Sequence, residues 1–154
     1  MSRNGDLYTE DFYTWTQTTA ALIRAGKWSD IDPESLAEEV ESLGARDLRE
    51  MRRRFKRLLT HLLKWQYQPS RRQTGHSWRT TIRNQREELA ALFEQSRTLE
   101  NQAADQVQRS YRGARLDAAD QTRLPLTTFP PTPPWTLAQI LDDDFFPEAP
   151  LEAR

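Results

Sequence analysis

The chain has 154 residues and a formal net charge of −1, with 36% hydrophobic and 29% charged residues. That length suits one domain around a single core, and five Trp, four Tyr and six Phe exclude wholesale disorder despite a mean hydropathy of −0.87. Cysteine is absent, which excludes disulfide scaffolds, thiolate metal sites and cysteine nucleophiles. No run approaches the roughly 18 apolar residues that cross a bilayer, and Met1–Glu10 holds no apolar signal core, so a cytoplasmic protein without membrane contact is expected.

In chain order, Met1–Asp6 reads as a polar, frayed start. A first helix is predicted from about Glu10 to Ala25, because Phe12, Trp15, Thr19, Leu22 and Ile23 recur at three- and four-residue steps. Gly26 suits the residue just past its end. A long second helix opens at Asp32-Pro33, with Ile31 and Leu36 as a hydrophobic staple. Its stripe runs through Leu36, Val40, Leu43, Leu48, Met51, Phe55, Leu58, Leu59, Leu62 and Trp65 until Pro69 stops it. Gly44 lies on the stripe and marks either a kink or a place where another helix comes close.

Pro69–His76 reads as a connector, with Thr74 or Ser77 capping a third helix over about Trp78–Gln95. A fourth helix, about Leu99–Asp120, follows a cap at Ser96 or Thr98. Its stripe of Leu99, Ala103, Val107, Tyr111, Ala114 and Ala118 is small and polar, so it is expected to be the least buried. Five prolines between Pro125 and Pro134 then require an extended strap, pinned by Leu126, Phe129 and Trp135. Thr136 with Gln139 forms a capping box, and Trp135 with Ile140 a second staple, for a short helix over about Leu137–Asp142. The predicted fold is all-α: a four-helix-type bundle over 1–123, with a Pro-rich strap and short terminal helix over 124–154 packed on the same domain.

The segments LYTEDFYTWTQTTAALIRAGKW, LAEEVESLG, LLTHLLKWQYQPSRR, SWRTTIRNQR, LPLTTFP and LDDDFFP run in this order from Leu7 to Pro147. Together they resemble a bacterial family of uncharacterised proteins, domain of unknown function 29, with HLLKWQ at His61–Gln66 the most specific block. The resemblance implies an all-α fold and carries over no activity, cofactor or catalytic residue.

Charge is strongly segregated. Arg46–Arg86 holds 13 Lys and Arg against two acids, a net +11, which leaves −12 on the remainder. Arg46, Arg49, Arg53, Lys56, Arg57 and Lys64 share one side of the second helix, away from its apolar stripe. Arg79, Arg83 and Arg86 repeat along the third, with Trp65 and Trp78 among them. Nineteen of the 22 basic residues are Arg, which grips carboxylate or phosphate in bidentate fashion. These 11 residues are the candidate binding set. An acidic protein partner or a second copy is the leading expectation, with nucleic acid the alternative through phosphate contacts and base stacking. The acids Glu87, Glu88, Glu94 and Asp142–Asp144 are the internal competitors for the same cations.

Catalytic signals are thin. Glu34, Glu38 and Glu41 share a solvent-facing side, Glu39 is the better inward carboxylate, and neither histidine follows an acid at the Glu-x-x-His spacing. No metal, cofactor or catalytic residue is expected. His61 reads as a half-buried histidine hydrogen-bonded to Glu39 or an N-terminal acid. A small enzyme with a cleft of His61, Glu39, Arg79 and Trp135 is the remaining alternative. The turn at Gly75, with Arg71, Arg72 and Arg79, is a weak anion-site signal without the spacing of a phosphate loop.

Overall fold

The computed structural model describes residues 3–72 and 76–151. Among them the regular elements are helices only, and no strand occurs. They are α1 (Arg3–Glu10), α2 (Phe12–Arg24), α3 (Pro33–Tyr67), α4 (His76–Gln95), α5 (Arg97–Asn101), α6 (Ala103–Thr122) and α7 (Leu137–Leu141), with 3₁₀ turns at Trp28–Asp30, Pro69–Arg71 and Leu126–Thr128. The chain divides into two compact units, Met1–Arg46 and Asp47–Arg154, and the boundary falls inside α3.

In the first unit the frayed start and the single helix from Glu10 are both corrected. Met1 and Ser2 lie outside the described residues; from Arg3 on the chain is helical, and Asp11 divides α1 from α2. The Asp11 carboxylate accepts from the Thr14 N–H at 3.1 Å and from the Thr14 hydroxyl at 2.6 Å, so it restarts the helix as a cap. At the other end of α2, Gly26 takes φ +70°. Gly26 N–H reaches the Ile23 carbonyl and Lys27 N–H the Leu22 carbonyl, the paired bonds of a glycine-terminated helix. Trp15 and Ile31 fill the interior beside buried Asn4, Thr19 and Ser35. Asn4 joins three segments: its Nδ2 donates to Thr19 Oγ1 at 2.9 Å, and its Oδ1 accepts from the Asp32 N–H at 3.1 Å. Tyr8 packs edge-on to Trp15 at 4.7 Å and donates to Glu39 at 3.3 Å, so Glu39 does point inward while Glu34, Glu38 and Glu41 are exposed.

α3 runs unbroken for 35 residues past Gly44. Among the described residues the expected close approach there is absent: a Cβ on Gly44 would meet nothing within 4 Å. The stripe is also shorter than predicted, because Val40 and Leu43 are 59% and 50% exposed.

In the second unit, Met51, Phe55, Leu58, Leu59, Leu62 and Leu63 of α3 meet Ile82, Leu89 and Leu92 of α4. The third face of this core is α6, which reverses the expectation that it is the least buried helix. Ala103, Val107, Tyr111, Ala114 and Ala118 are all interior. The small residues among them and their neighbour Ser110 allow the backbones to come close. Ser110 donates to the Arg52 carbonyl at 3.2 Å, and the Thr60 hydroxyl, which donates to the Lys56 carbonyl of its own helix at 2.7 Å, lies 3.4 Å from the Ala114 carbonyl. A Cβ on Gly113 would stand 3.1 Å from Lys56 Cε.

The strap packs on this core through two of its three predicted pins. Phe129, Trp135 and Ile140 are buried, whereas Leu126 is 38% exposed. The Thr136–Gln139 capping box forms in both directions. Tyr111 donates to the Pro130 carbonyl at 2.6 Å, and Arg115 to the Phe129 carbonyl at 3.0 Å. Past α7, Arg86 closes the strap. It is 3% exposed, and its guanidinium donates to the carbonyls of Ile140 (2.8 Å), Asp143 (3.5 Å) and Phe145 (2.8 Å). Arg86 is therefore an interior clamp and leaves the surface set in which the sequence placed it. The reason is its position between Ile82 and Leu89 on the buried side of α4.

Two stability changes follow. Gly44→Ala should raise unfolding free energy by about 0.5–1 kcal/mol, since the site is helical and open. Arg86→Met should lower it by about 2–4 kcal/mol by orphaning buried carbonyls. Urea denaturation of each variant measures both.

Candidate functional site

Cations of the Arg46–Arg86 segment fall into three groups. Some are spent inside the second unit. Arg54 pairs with Glu50 at 3.1 Å and Glu88 at 3.5 Å, Lys56 with Asp117 at 3.3 Å, and Arg86 serves the strap. Others lie on aromatic faces. Arg79 is 4.3 Å from the Phe146 ring centroid and 5.5 Å from that of Trp65, Arg72 is 4.9 Å from Trp65, and Lys64 Nζ is 4.9 Å from Trp78. Trp65 also meets Phe146 at 4.9 Å. The two tryptophans expected to stack bases thus already carry cations.

The third group is open. Arg49, Arg53, Arg57 and Arg83 are exposed, and among the described residues none makes an ion pair. The first three follow at four-residue steps on α3, so they rise along one side of the helix at about 6 Å intervals. Arg46 is likewise exposed and belongs to the first unit.

Arg53 and Arg57 also border a cleft of about 410 Å³ between α3 and α6, with Lys56, Thr60 and His61 on the α3 wall and Asp117 and Gln121 on the α6 wall. His61 takes a carbonyl of its own helix as its partner rather than a carboxylate. Its Nδ1 lies 2.9 Å from the carbonyl of Arg57, one turn earlier on its own helix. A carbonyl only accepts, so Nδ1 carries the proton and Nε2 keeps its lone pair. Burial, opposed by that bond and reinforced by the charges of Lys64 and Arg57, brings the His61 pKa down to about 4. The ring is neutral at pH 7.

Trp135, Glu39 and Arg79, predicted as cleft partners of His61, are not among the residues lining it. Asp117 and Gln121, which do line it, went unread in the sequence. Their signal was the four-residue step beside Ala114 and Ala118. Among the described residues, no group of three or more His, Cys, Asp or Glu comes together to hold a metal, and no helix is long and apolar enough to cross a membrane. Gly75 of the predicted anion turn, and Thr74, one of the two predicted caps of α4, lie outside the described residues. The first unit has a hollow of about 640 Å³ lined by Leu7, Leu22, Thr14 and Thr18, which brings none of the candidate residues together.

The depressed His61 pKa sets an acid sensitivity. The folded state takes up this proton only near pH 4, whereas the unfolded chain does so near 6.5. Stability is therefore complete above pH 6.5 and falls as the pH drops toward 4, by up to about 3 kcal/mol from this group. His61→Gln should flatten that part of the profile, measured as urea midpoints between pH 7 and pH 4.

Comparison with curated proteins finds no match, and comparison with solved structures finds none either. A family model described as "Domain of unknown function DUF29" matches residues 7–146, nearly the whole chain and both of its units. The chain belongs to that family.

Proposed function

We propose that the chain is a non-enzymatic helical interaction protein of the cytoplasm, and that its contact surface is the Arg49–Arg53–Arg57 face of α3. The observation that carries this reading is the set of three exposed guanidiniums at regular steps with no ion pair among the described residues. Neighbouring cations are committed to Asp117, Glu50, Glu88 or aromatic rings, so the open ones are those left to meet an outside anion. An acidic protein surface suits them, because guanidinium and carboxylate pair in two-point fashion. The first unit of a second copy is one such surface, with nine acids against four bases and with Glu34, Glu38 and Glu41 exposed.

The same three arginines would accept phosphates, but a nucleic-acid surface of the single-stranded kind also offers free aromatic faces, and Trp65 and Trp78 are covered by cations. An enzymatic reading lacks a partner for His61: the cleft's one carboxylate, Asp117, is held by Lys56.

At about 0.5–1 kcal/mol for each exposed pair, Arg49→Gln/Arg53→Gln/Arg57→Gln should weaken binding to polyglutamate by about tenfold to a hundredfold. Wild-type affinity should fall with added salt. Fluorescence titration reads both, and sedimentation equilibrium on the same samples reads self-association. Unchanged affinity in the triple variant would remove this face. Tighter binding to a duplex than to polyglutamate, at matched salt, would reassign the surface to nucleic acid.

A further inference from the structure

The α3–α6 cleft has features beyond a cationic surface. Arg53 and Arg57 border it without ion pairs among the described residues, while the Lys56 charge is offset by Asp117. His61 is held in one tautomer by the Arg57 carbonyl, which leaves Nε2 as a hydrogen-bond acceptor on the cleft wall. Lys64 reaches the rim, where it donates to Gln121 Oε1 at 2.9 Å and leaves the Gln121 amide NH₂ as a further donor. The groups facing the ring are therefore Arg53, Lys56, Arg57 and Lys64 of α3 with Asp117 and Gln121 of α6. Their net charge is +3 with His61 neutral.

A carboxylate would use the two guanidiniums but offers His61 nothing to accept. A phosphate monoester differs, because its second proton leaves near pH 6. As the monoanion, it engages both guanidiniums with its oxygens and donates its remaining hydroxyl to the imidazole lone pair; as the dianion, it makes the same hydrogen bond once His61 Nε2 has taken up a proton. The volume of about 410 Å³ admits the phosphoryl group together with part of the molecule that carries it.

The geometry points to this cleft as a binding site for a phosphate monoester, gripped by Arg53 and Arg57 and read by His61. This rests on the α3 face being an anion-contacting surface and adds the chemical group that one part of it selects. No covalent step is involved. Burial first, and the charges of Lys64 and Arg57 after it, keep His61 neutral; a dianion in the cleft opposes both with its own charge, so ligand and proton uptake reinforce each other there.

The test titrates the full chain with inorganic phosphate at fixed ionic strength and follows the imidazole resonances by NMR. The chain has two histidines, and His61→Gln identifies the signal of interest. The expected result is a saturable shift of that signal at about millimolar phosphate. Its titration midpoint should rise from about 4. Arg53→Gln/Arg57→Gln should weaken phosphate at least about tenfold, as expected for lost charge-assisted bonds. Both side chains are exposed, so circular dichroism should report an intact fold. A phosphoserine peptide and adenosine monophosphate, run beside phosphate, separate a modified protein from a free small molecule as the source, and tighter binding of either supports the site. No saturable shift by about 20 mM phosphate, a shift that survives loss of both arginines, or glutarate binding as tightly as phosphate would each overturn it. If phosphate fails while polyglutamate still binds, the cleft assignment falls and the docking face stands. If both fail, the face falls with it.

Discussion

The close approach of α6 to α3 is the contact on which the second unit depends. It exists because α6 presents Ala103, Ser110, Ala114 and Ala118 where a bundle helix usually presents leucines. Small side chains lose hydrophobic area but let two backbones near each other, so hydroxyls can cross-bond to carbonyls of the opposite helix. The same proximity decides the electrostatics. It brings Asp117 and Gln121 against the cationic side of α3, and so determines which of its positive charges are answered from within and which are left to solvent.

Sorting the arginines by what they touch resolves much of the +11 segment. A guanidinium can clamp a turn, lie on a ring, pair with an acid or stay in water, and this chain uses all four modes on neighbouring turns of helix. Arg86 is the costliest to bury, since desolvation disfavours its charge and pulls its pKa down, with Asp143 and Asp142 acting in the opposite sense. Its three carbonyl acceptors explain how the cost is met. They also explain why Phe145 and Phe146 pack half-buried against the core despite three acids just before them.

Much of this fold was legible in the sequence, and the exceptions have physical causes. The bounds of α3 were readable because Pro33 and Pro69 punctuate it and leucines keep strict helical spacing between them. The capping box of α7 was readable because it depends on two side chains three residues apart. The burial of α6 was hidden, because alanine on an interface and alanine in water are the same letter. The break at Asp11 was hidden too, since a carboxylate can cap a helix or decorate its surface. Of the candidate site, Arg53 and Arg57 were legible from spacing alone. The far wall of the cleft, and the carbonyl that fixes the His61 tautomer, are tertiary facts that only the folded backbone supplies.

Met51 sits fully enclosed in the hydrophobic core of the second unit. The sequence has no thiol, and its other methionine is the first residue. The fold therefore offers oxidants no accessible sulfur within its helices. Conversion of Met51 to the sulfoxide requires the core to open first, and so its rate reports that opening as a built-in chemical clock.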